Sequence, residues 1–329
     1  MNACVIVVAH RAGDALTRCL DSLAGEDVIV VDNGGGGPEI DAAAQRVQVI
    51  TSENDGFGAG CNLGARHTDA GVLVFLNPDT VAQPGAVAAL VAALEDRTVG
   101  VVQARLRLLD EPELLNSSGN VLHVSGLAWP GGYRDRVDEL EAPREIAYAS
   151  GAACAIRAEL FHELGGFTEE LFLYQEDLEL CWRARLHGLR VLVTPGADVL
   201  HEYVFDRTDR RKEYFLERNR LIFLLTAYAG RTLLLLAPVL LAAEVGLTLL
   251  ALRQGWLREK VAGWAWLARH GSWLARRRRA VQALRCVPDR SLAPLLTPVL
   301  DPRMLDLPAG SAAANVLISA WWRGVRVVL

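Results

Sequence analysis

The sequence predicts an α/β fold, a mostly parallel sheet flanked by helices, with a helical region after it. Three observations point there. Apolar runs at 4–9 (CVIVVA), 28–31 (VIVV) and 72–76 (VLVFL) have the length and continuity of strands buried on both faces. The first two are separated by a segment in which Leu16, Leu20 and Leu23 share one helical face. Each run also stops at polar residues: His10-Arg11, Asp32-Asn33 and Asn77-Pro78-Asp79. Strand, helix, strand with polar residues at the strand ends is the pattern of a parallel βαβ unit.

Composition bounds the function classes. At 329 residues, the chain can form one large α/β domain or two smaller ones. With 51% hydrophobic and 22% charged residues, it is neither disordered nor a multi-span membrane protein. The six cysteines (4, 19, 61, 154, 181 and 286) form no CxxC pair or Cys/His cluster. That argues for reduced thiols in a cytosolic setting, without a zinc site or disulfide framework. The first residues run straight into a strand-like segment, so no secretory signal is expected. The net charge of −5 is unevenly placed: residues 253–290 hold ten Arg/Lys against two acids, and residues 1–252 carry −14. An acidic body with a basic C-terminal segment points to a charged surface as partner.

Taken in order, Ala9 closes the first strand and Asp14 is placed to cap a helix through Leu23. Asp32 ends the second strand, where an acid can accept from a nucleotide base or ribose. Gly34–Gly37 is a turn. A short strand at 47–50 precedes NDGFGAGCNLG at 54–64, with a helix expected from about Gly60 to Thr68. A dinucleotide fingerprint fails here, because GxGxxG belongs after the first strand and only Gly13 stands there.

The strand at 72–76 must end at Pro78, which has no backbone donor. Asp79 then reads either as a turn residue satisfying local N–H groups or as a ligand for a divalent cation carrying a diphosphate. A helix from Pro84 to about Leu94 and a strand at 99–103 follow. Residues 104–146, rich in Gly and Pro around Trp129 and Tyr133, are expected as an irregular lid over the substrate.

Ala158–Leu164 is helical and stops at Gly165-Gly166. Phe172-Leu173-Tyr174 leads into Glu176-Asp177 and a helix with Leu178, Cys181, Trp182 and Leu186 on one side. The acidic pair reads either as a complement to the helix dipole or as a general base beside an apolar pocket. Further strands cover 191–193 and 199–200, and His201 closes the second.

Five blocks occur in one order: VIVVAHR, VVDNGGGG, ENDGFGAGCNLGAR, VFLNPDT, and GGFTEELFLYQEDLELCWRARLHG with VLH behind it. Together they resemble the inverting family 2 glycosyltransferases of the GT-A fold, closest to the rhamnosyltransferase-like branch, over about residues 4–225. The resemblance implies a nucleotide-sugar-binding half at 1–103, an acceptor and catalytic half at 104–225, and a C-terminal region at 226–329. It implies transfer of a sugar, rhamnose among the candidates, from a nucleoside-diphosphate donor to a hydroxyl of a cell-surface glycan or lipid-linked acceptor. Asp32 matches the acid that reads the base. Ala9, His10, Asn33, Gly58, Asn62, Asn77 and Arg218 match other donor contacts, Arg218 lying in an Arg-Asn-Arg element near phosphate. Asp79 and His201 match the Mg²⁺ or Mn²⁺ ligands, and Asp177, with Glu176 beside it, matches the catalytic base. Trp129 and Tyr133 fall in the acceptor loop. Two departures stand out: Ala9-His10-Arg11 replaces the usual Thr-Tyr-Asn, and Asn77 stands where many relatives have Asp. A nucleotidyltransferase and an inactive carbohydrate-binding relative are the competing classes.

Thr232–Leu252 is long enough to cross a bilayer, at 21 residues and roughly 31 Å. Pro238 and Glu244 weigh against a span, since an acid at mid-membrane needs a partner. Trp256, Trp264, Trp266 and Trp273 among Arg258, Lys260, Arg269 and Arg276–Arg279 have the composition of an interfacial helix. The preferred reading is monotopic attachment to an anionic membrane through 232–290, on the inner, cytoplasmic face. A buried helical hairpin and nucleic-acid binding are the alternatives.

Overall fold

A computed structural model describes residues 1–203, 210–305 and 311–329. The chain divides into two compact units. The first comprises Met1–Asn120, Pro130–Arg185 and Leu189–Phe205; the second comprises Val121–Trp129, Leu186–Gly188 and Asp206–Leu329. The division falls some twenty residues before the boundary expected at 225.

In the first unit the chain runs β1 (Ala3–Ala9), α1 (Asp14–Ser22), β2 (Val28–Asn33), α2 (Pro38–Ala43), β3 (Gln48–Ser52), α3 (Phe57–Ala65) and β4 (Val72–Leu76). It continues through β5 (Thr80–Ala82), α4 (Ala86–Ala93), β6 (Val99–Leu108) and β7 (Leu115–Ser117). Strands β8 (Asn120–His123) and β9 (Ala128–Pro130) lead out to the second unit and back. Then follow β10 (Arg144–Glu145), β11 (Ala153–Arg157), α5 (Ala158–Leu164), α6 (Glu176–Leu186) and β12 (Arg190–His201).

The sheet order is β10-β12-β6-β11-β4-β1-β2-β3, with β5 on β12 and β7 on β6. β1 pairs in parallel with β2 and β4, and β2 with β3; β6 and β12 are parallel to each other. β11 runs antiparallel between β4 and β6. The C-terminal ends of β1, β2, β3, β4, β6 and β12 therefore reach one edge of the sheet, where β11 begins. Ligands of open α/β sheets bind at that edge.

The core explains the apolar runs. Val5, Ile6, Val7 and the whole of β4 are buried, and Phe75 packs 5.3 and 5.1 Å, ring to ring, from Phe161 and Phe167. α3 starts at Phe57, earlier than the expected Gly60, because its glycines serve packing. A Cβ on Gly60 would sit 2.6 Å from Val8, and one on Gly64 2.6 Å from Ile6. α3 can thus lie against β1 only with glycine at both positions.

The expected lid at 104–146 is corrected. β6 runs on to Leu108, and β7, β8, β9 and β10 order the segment. Buried polar residues (Asn116, Ser117, Ser118, Asn120, His123, Ser125) interrupt its buried apolar ones, so it shows no apolar periodicity. The two strands expected at 191–193 and 199–200 are one strand, β12, with a bulge between Thr194 and Asp198.

The second unit holds α7 (Arg210–Ala227), α8 (Gly230–Gln254), α9 (Leu257–Arg269), α10 (Gly271–Ala283), α11 (Asp289–Leu292), β13 (Leu296–Thr297) and α12 (Ser311–Val328). Its core contains a neutral four-charge cluster. Arg220 donates to Glu217 at 3.0 Å and to Glu244 at 2.5 Å. Lys260, 1% exposed, bonds Glu217 and lies 2.9 Å from Glu244. Glu244 of α8 thereby has the partners that an acid in an apolar helix needs. Of the tryptophans expected at a lipid interface, one is buried and Trp264 is 37% exposed. Trp256 is buried, Trp266 stacks on His270 at 4.1 Å, and Trp264 donates to Glu244 at 2.8 Å.

Candidate active site

The site is built on the strand-end edge of the first unit. After Leu76 the chain turns through Asn77-Pro78-Asp79 into β5, which pairs antiparallel with β12 so that Thr80 faces His201. Asn77 O accepts from Thr80 Oγ1 at 2.7 Å, and Asn77 N donates to Ala152 O at 3.0 Å. Glu202 N donates to the Asp79 carbonyl at 2.9 Å. These main-chain bonds set the Asp79 and His201 side chains opposite each other, Oδ1 to Nε2 at 3.4 Å.

Asp79 Oδ1 is shielded from solvent and accepts no hydrogen bond from any described residue. His201 is buried, and its Nδ1 lies 2.9 Å from Asn116 Oδ1. With Nδ1–H donating to that oxygen, the Nε2 lone pair faces the carboxylate. Two acceptors face one another across a gap that could hold a cation. Among the described residues no group of three or more His, Cys, Asp or Glu gathers around a common point, so the pair is the candidate. Two protein ligands suit a divalent ion whose remaining positions are filled by phosphate oxygens and water.

Asp177 is tied to the same strand-end region through Gly151. Its Oδ2 accepts from Gly151 N at 2.9 Å and its Oδ1 from Leu178 N at 2.6 Å. Gly151 precedes Ala152, the partner of Asn77, so Asp177, Asn77 and Asp79 are tied through one backbone path. Burial pushes the Asp177 carboxyl up to about 6, although the N–H groups of Gly151 and Leu178 oppose it. Glu176, deeper and with Oε2 unpartnered, is pushed well above the usual carboxylate range by burial and by the Asp177 charge. The two carboxyls therefore separate: Glu176 is held neutral and Asp177 ionises near neutrality. The approach to α6 is strained, with Phe172, Tyr174 and Gln175 at φ of 64, 68 and 66°. The Phe172 carbonyl accepts from Phe57 N at 2.8 Å, which pins this strained stretch to the start of α3.

Of the expected donor residues, Asp32 is buried and one oxygen, Oδ1, accepts from Gly35 and Gly36 N at 2.9 and 3.0 Å. The Gly34–Gly37 turn thus holds this acid in place. His10 is exposed beyond Ala9, and its Nδ1 is 2.9 Å from the Asn33 carbonyl. The Asn33 amide donates to Asn54 and Gly56, which makes it a brace for the loop before α3.

Two residues of the expected donor loop pack within the fold. Asn62 is buried and fully engaged: its amide donates to Phe167 O and Glu169 Oε1, and its oxygen accepts from Phe167 N, at 2.8–2.9 Å. A Cβ on Gly58 would meet Phe167 Cβ at 2.9 Å. Both residues fix the 166–169 turn to α3, and the Asn62 amide has no free donor for a ligand.

Two others belong to the second unit. Arg218 is buried there with its guanidinium 4.8 Å from the Trp266 ring and 5.1 Å from Phe215, donating to Asn219. Trp129 is buried on β9 near His123, which removes it from an acceptor lid. Tyr133 stays in the first unit, 5.7 Å from the Tyr203 ring, which is itself 5.7 Å from His201. Asn116, Gly151 and Tyr203 escaped the sequence reading. Gly151 alone had a signal, as a glycine just before an apolar strand.

Comparison with known proteins places this geometry. The family described as "Glycosyl transferase family 2" matches residues 4–165. An N-acetylglucosaminyl-diphospho-decaprenol L-rhamnosyltransferase of Mycobacterium tuberculosis is 30% identical over 233 residues, covering 60% of this chain and 75% of that one. The chain belongs to glycosyltransferase family 2. Within it the chain is rhamnosyltransferase-like and a hexosyltransferase, which sets aside the nucleotidyltransferase reading. The fold agrees. A structure of GalNAc-T7 with UDP, GalNAc and Mn²⁺ superposes with a TM-score of 0.59 at 17% identity, over 70% of this chain and about half, 48%, of that one. The mannosyltransferase PcManGT from Pyrobaculum calidifontis, in complex with GDP-Man and Mn²⁺, gives 0.50 at 18% identity, over 99% and 86%. The GT-A architecture and sugar transfer from a nucleotide-sugar follow for this glycosyltransferase.

Proposed function

We propose that this glycosyltransferase inverts the anomeric centre of a nucleoside-diphosphate-sugar, rhamnose being the sugar its relatives suggest. The acceptor is a hydroxyl of a cell-surface glycan or polyprenyl-linked saccharide. The observation that carries the reading is the backbone path joining Asp177 to Asp79. That path connects an acid raised to about 6 with the loop that carries the two-acceptor gap, and so supports the reading.

Asp79 and His201 would hold a divalent ion, Mg²⁺ or Mn²⁺. Bound there, the ion would act as a Lewis acid on the leaving diphosphate. Asn116 orients His201. Asp32, ordered by the Gly35 and Gly36 N–H groups, keeps its second oxygen for the base or ribose. Asp177 takes the proton of the acceptor hydroxyl as that oxygen attacks the anomeric carbon from the face opposite the diphosphate. A single displacement inverts the configuration, and the proton leaves on Asp177. Neutral Glu176 lowers the charge around that step. Tyr133 and Tyr203 form an aromatic wall next to His201, suited to a sugar face.

The enzyme would work on the cytoplasmic face of a membrane, attached through the basic, apolar region at 232–290. The relative from Mycobacterium tuberculosis is named for a decaprenol-linked substrate, and that supports a lipid-linked acceptor. Thermal shift with dTDP-, UDP- and GDP-sugars, with and without Mn²⁺, tests the donor reading. One nucleotide stabilising the chain only with metal is expected. Stabilisation by none of the three would overturn it.

A further inference from the structure

We propose that the second unit lies flat on an anionic lipid surface, docking through one apolar face that α8 and α12 make together. The proposal rests on the membrane attachment included in the reading above and specifies its geometry.

α8 has 25 residues and a mean hydropathy of 2.3 in its most apolar window, yet only 11% of that window is buried. Leu234, Leu241, Val245, Leu249 and Leu252 are 61–76% exposed. At 3.6 residues per turn they fall within about 80° of one another. α12 extends the face with Val316, Leu317 and Trp321, all exposed. Trp321 Nε1 donates to the Leu235 carbonyl at 2.9 Å, fastening α12 to α8. That carbonyl lies in the turn where Pro238 supplies no N–H.

The charges around the face select an anionic partner. Arg231 and Arg253 are exposed at the two ends of α8, and Arg323 and Arg326 on α12. α12 has no acidic residue, and Glu244, the one acid of α8, is turned onto Arg220 and Lys260. Residues 206–329 hold twenty Arg/Lys against nine Asp/Glu, a net +11, whereas residues 1–205 carry −16. Two copies meeting through this face would bring like charges together; an anionic bilayer neutralises them.

The same cluster decides the orientation. For α8 to cross the bilayer it would have to leave α7 and α9, carrying Glu244 into hydrocarbon and stranding Lys260 and Arg220. Charges in that position are strongly disfavoured. With the cluster intact, α8 lies in the interface with Glu244 held on Arg220 of α7 and Lys260 of α9.

The test uses the full chain. Flotation with phosphatidylserine-containing vesicles should recover it, and pure phosphatidylcholine should recover about tenfold less. Leu241→Glu/Leu249→Glu should lose about tenfold in partitioning with donor binding unchanged. Should that variant misfold, Arg323→Gln/Arg326→Gln gives the same reading through loss of the anionic preference. In a Cys286→Ser background, Arg231→Cys and Arg253→Cys added to preformed vesicles should both react with an impermeant maleimide. Protection of one of them until detergent is added would show a spanning helix and overturn the flat geometry while leaving attachment standing. Absence of binding to any vesicle would remove attachment itself. A dimer formed through Leu241 and Leu249 without vesicle binding would make a second copy the occupant.

Discussion

Asp79 Oδ1 stands 3.4 Å from His201 Nε2, and that oxygen has no donor among the described residues. His201 is aimed from behind by Asn116 at 2.9 Å. A ligand histidine depends on such a partner, whose loss typically costs about 10–100-fold in metal affinity. Asn116→Ala should therefore weaken Mn²⁺ binding by that range, and Asp79→Ala should abolish it. Calorimetric titration of Mn²⁺ with pyrophosphate as co-ligand measures both. Unchanged affinity in Asp79→Ala would return Asp79 to the role of a turn residue.

Asp177 predicts a pH profile. A carboxyl raised to about 6 must be ionised to accept a proton, so kcat/KM should fall on the acid side of about pH 6. Asp177→Asn should lower kcat about 10²–10⁴-fold and abolish that limb. Stability should respond with the opposite sign. The folded chain holds this proton more tightly than the unfolded chain, so it gains stability as pH falls from about 6 towards 4. At pH 8 the same Asn variant should melt higher than wild type. A variant that loses neither activity nor the limb would exclude Asp177 as the base.

Asn62 predicts a stability loss without a binding loss. Its three hydrogen bonds join α3 to the Phe167–Glu169 turn, and Asn62→Ala strands the buried Phe167 N–H. The expected cost is about 2–3 kcal/mol, read from urea denaturation. Donor affinity per folded molecule should be unchanged. A variant of native stability that binds donor poorly would instead restore Asn62 as a donor ligand.

These residues also show what could be read from sequence. Val72–Leu76 was legible to the residue because a central strand covered on both faces must be apolar at every position. Asp79, Asp177 and His201 drew attention because each adjoins an abrupt end of an apolar pattern. The glycines of α3 misled, since Gly58, Gly60 and Gly64 look the same in sequence whether a ligand or Val8, Ile6 and Phe167 lies against them. Asn116 was invisible: it lies on a short buried strand stabilised by polar contacts, which has no hydrophobic period. The packing of Arg218 on Trp266 was not legible, because the two lie 48 residues apart in the chain.

Glu244 gives the prediction that separates a structural charge cluster from a lipid-facing acid. Burial alone would raise its carboxyl, but Arg220 and Lys260 reverse this and hold it at about 2, against an ordinary 4.5. A depressed carboxyl contributes stability above its unfolded value and loses it as pH falls through the folded one. That contribution, roughly 3 kcal/mol, is complete above about pH 5 and vanishes towards pH 2. Glu244→Gln should therefore be less stable than wild type at pH 7, with the gap closing progressively below pH 5. Urea denaturation followed by tryptophan fluorescence reads the second unit, since Trp264 bonds Glu244 directly. An acid exposed to lipid would show the reverse, because Glu244→Gln would then remove an uncompensated charge and stabilise the chain at pH 7. A gap that stays constant from pH 7 to pH 3 would show that Arg220 and Lys260 do not hold this carboxylate.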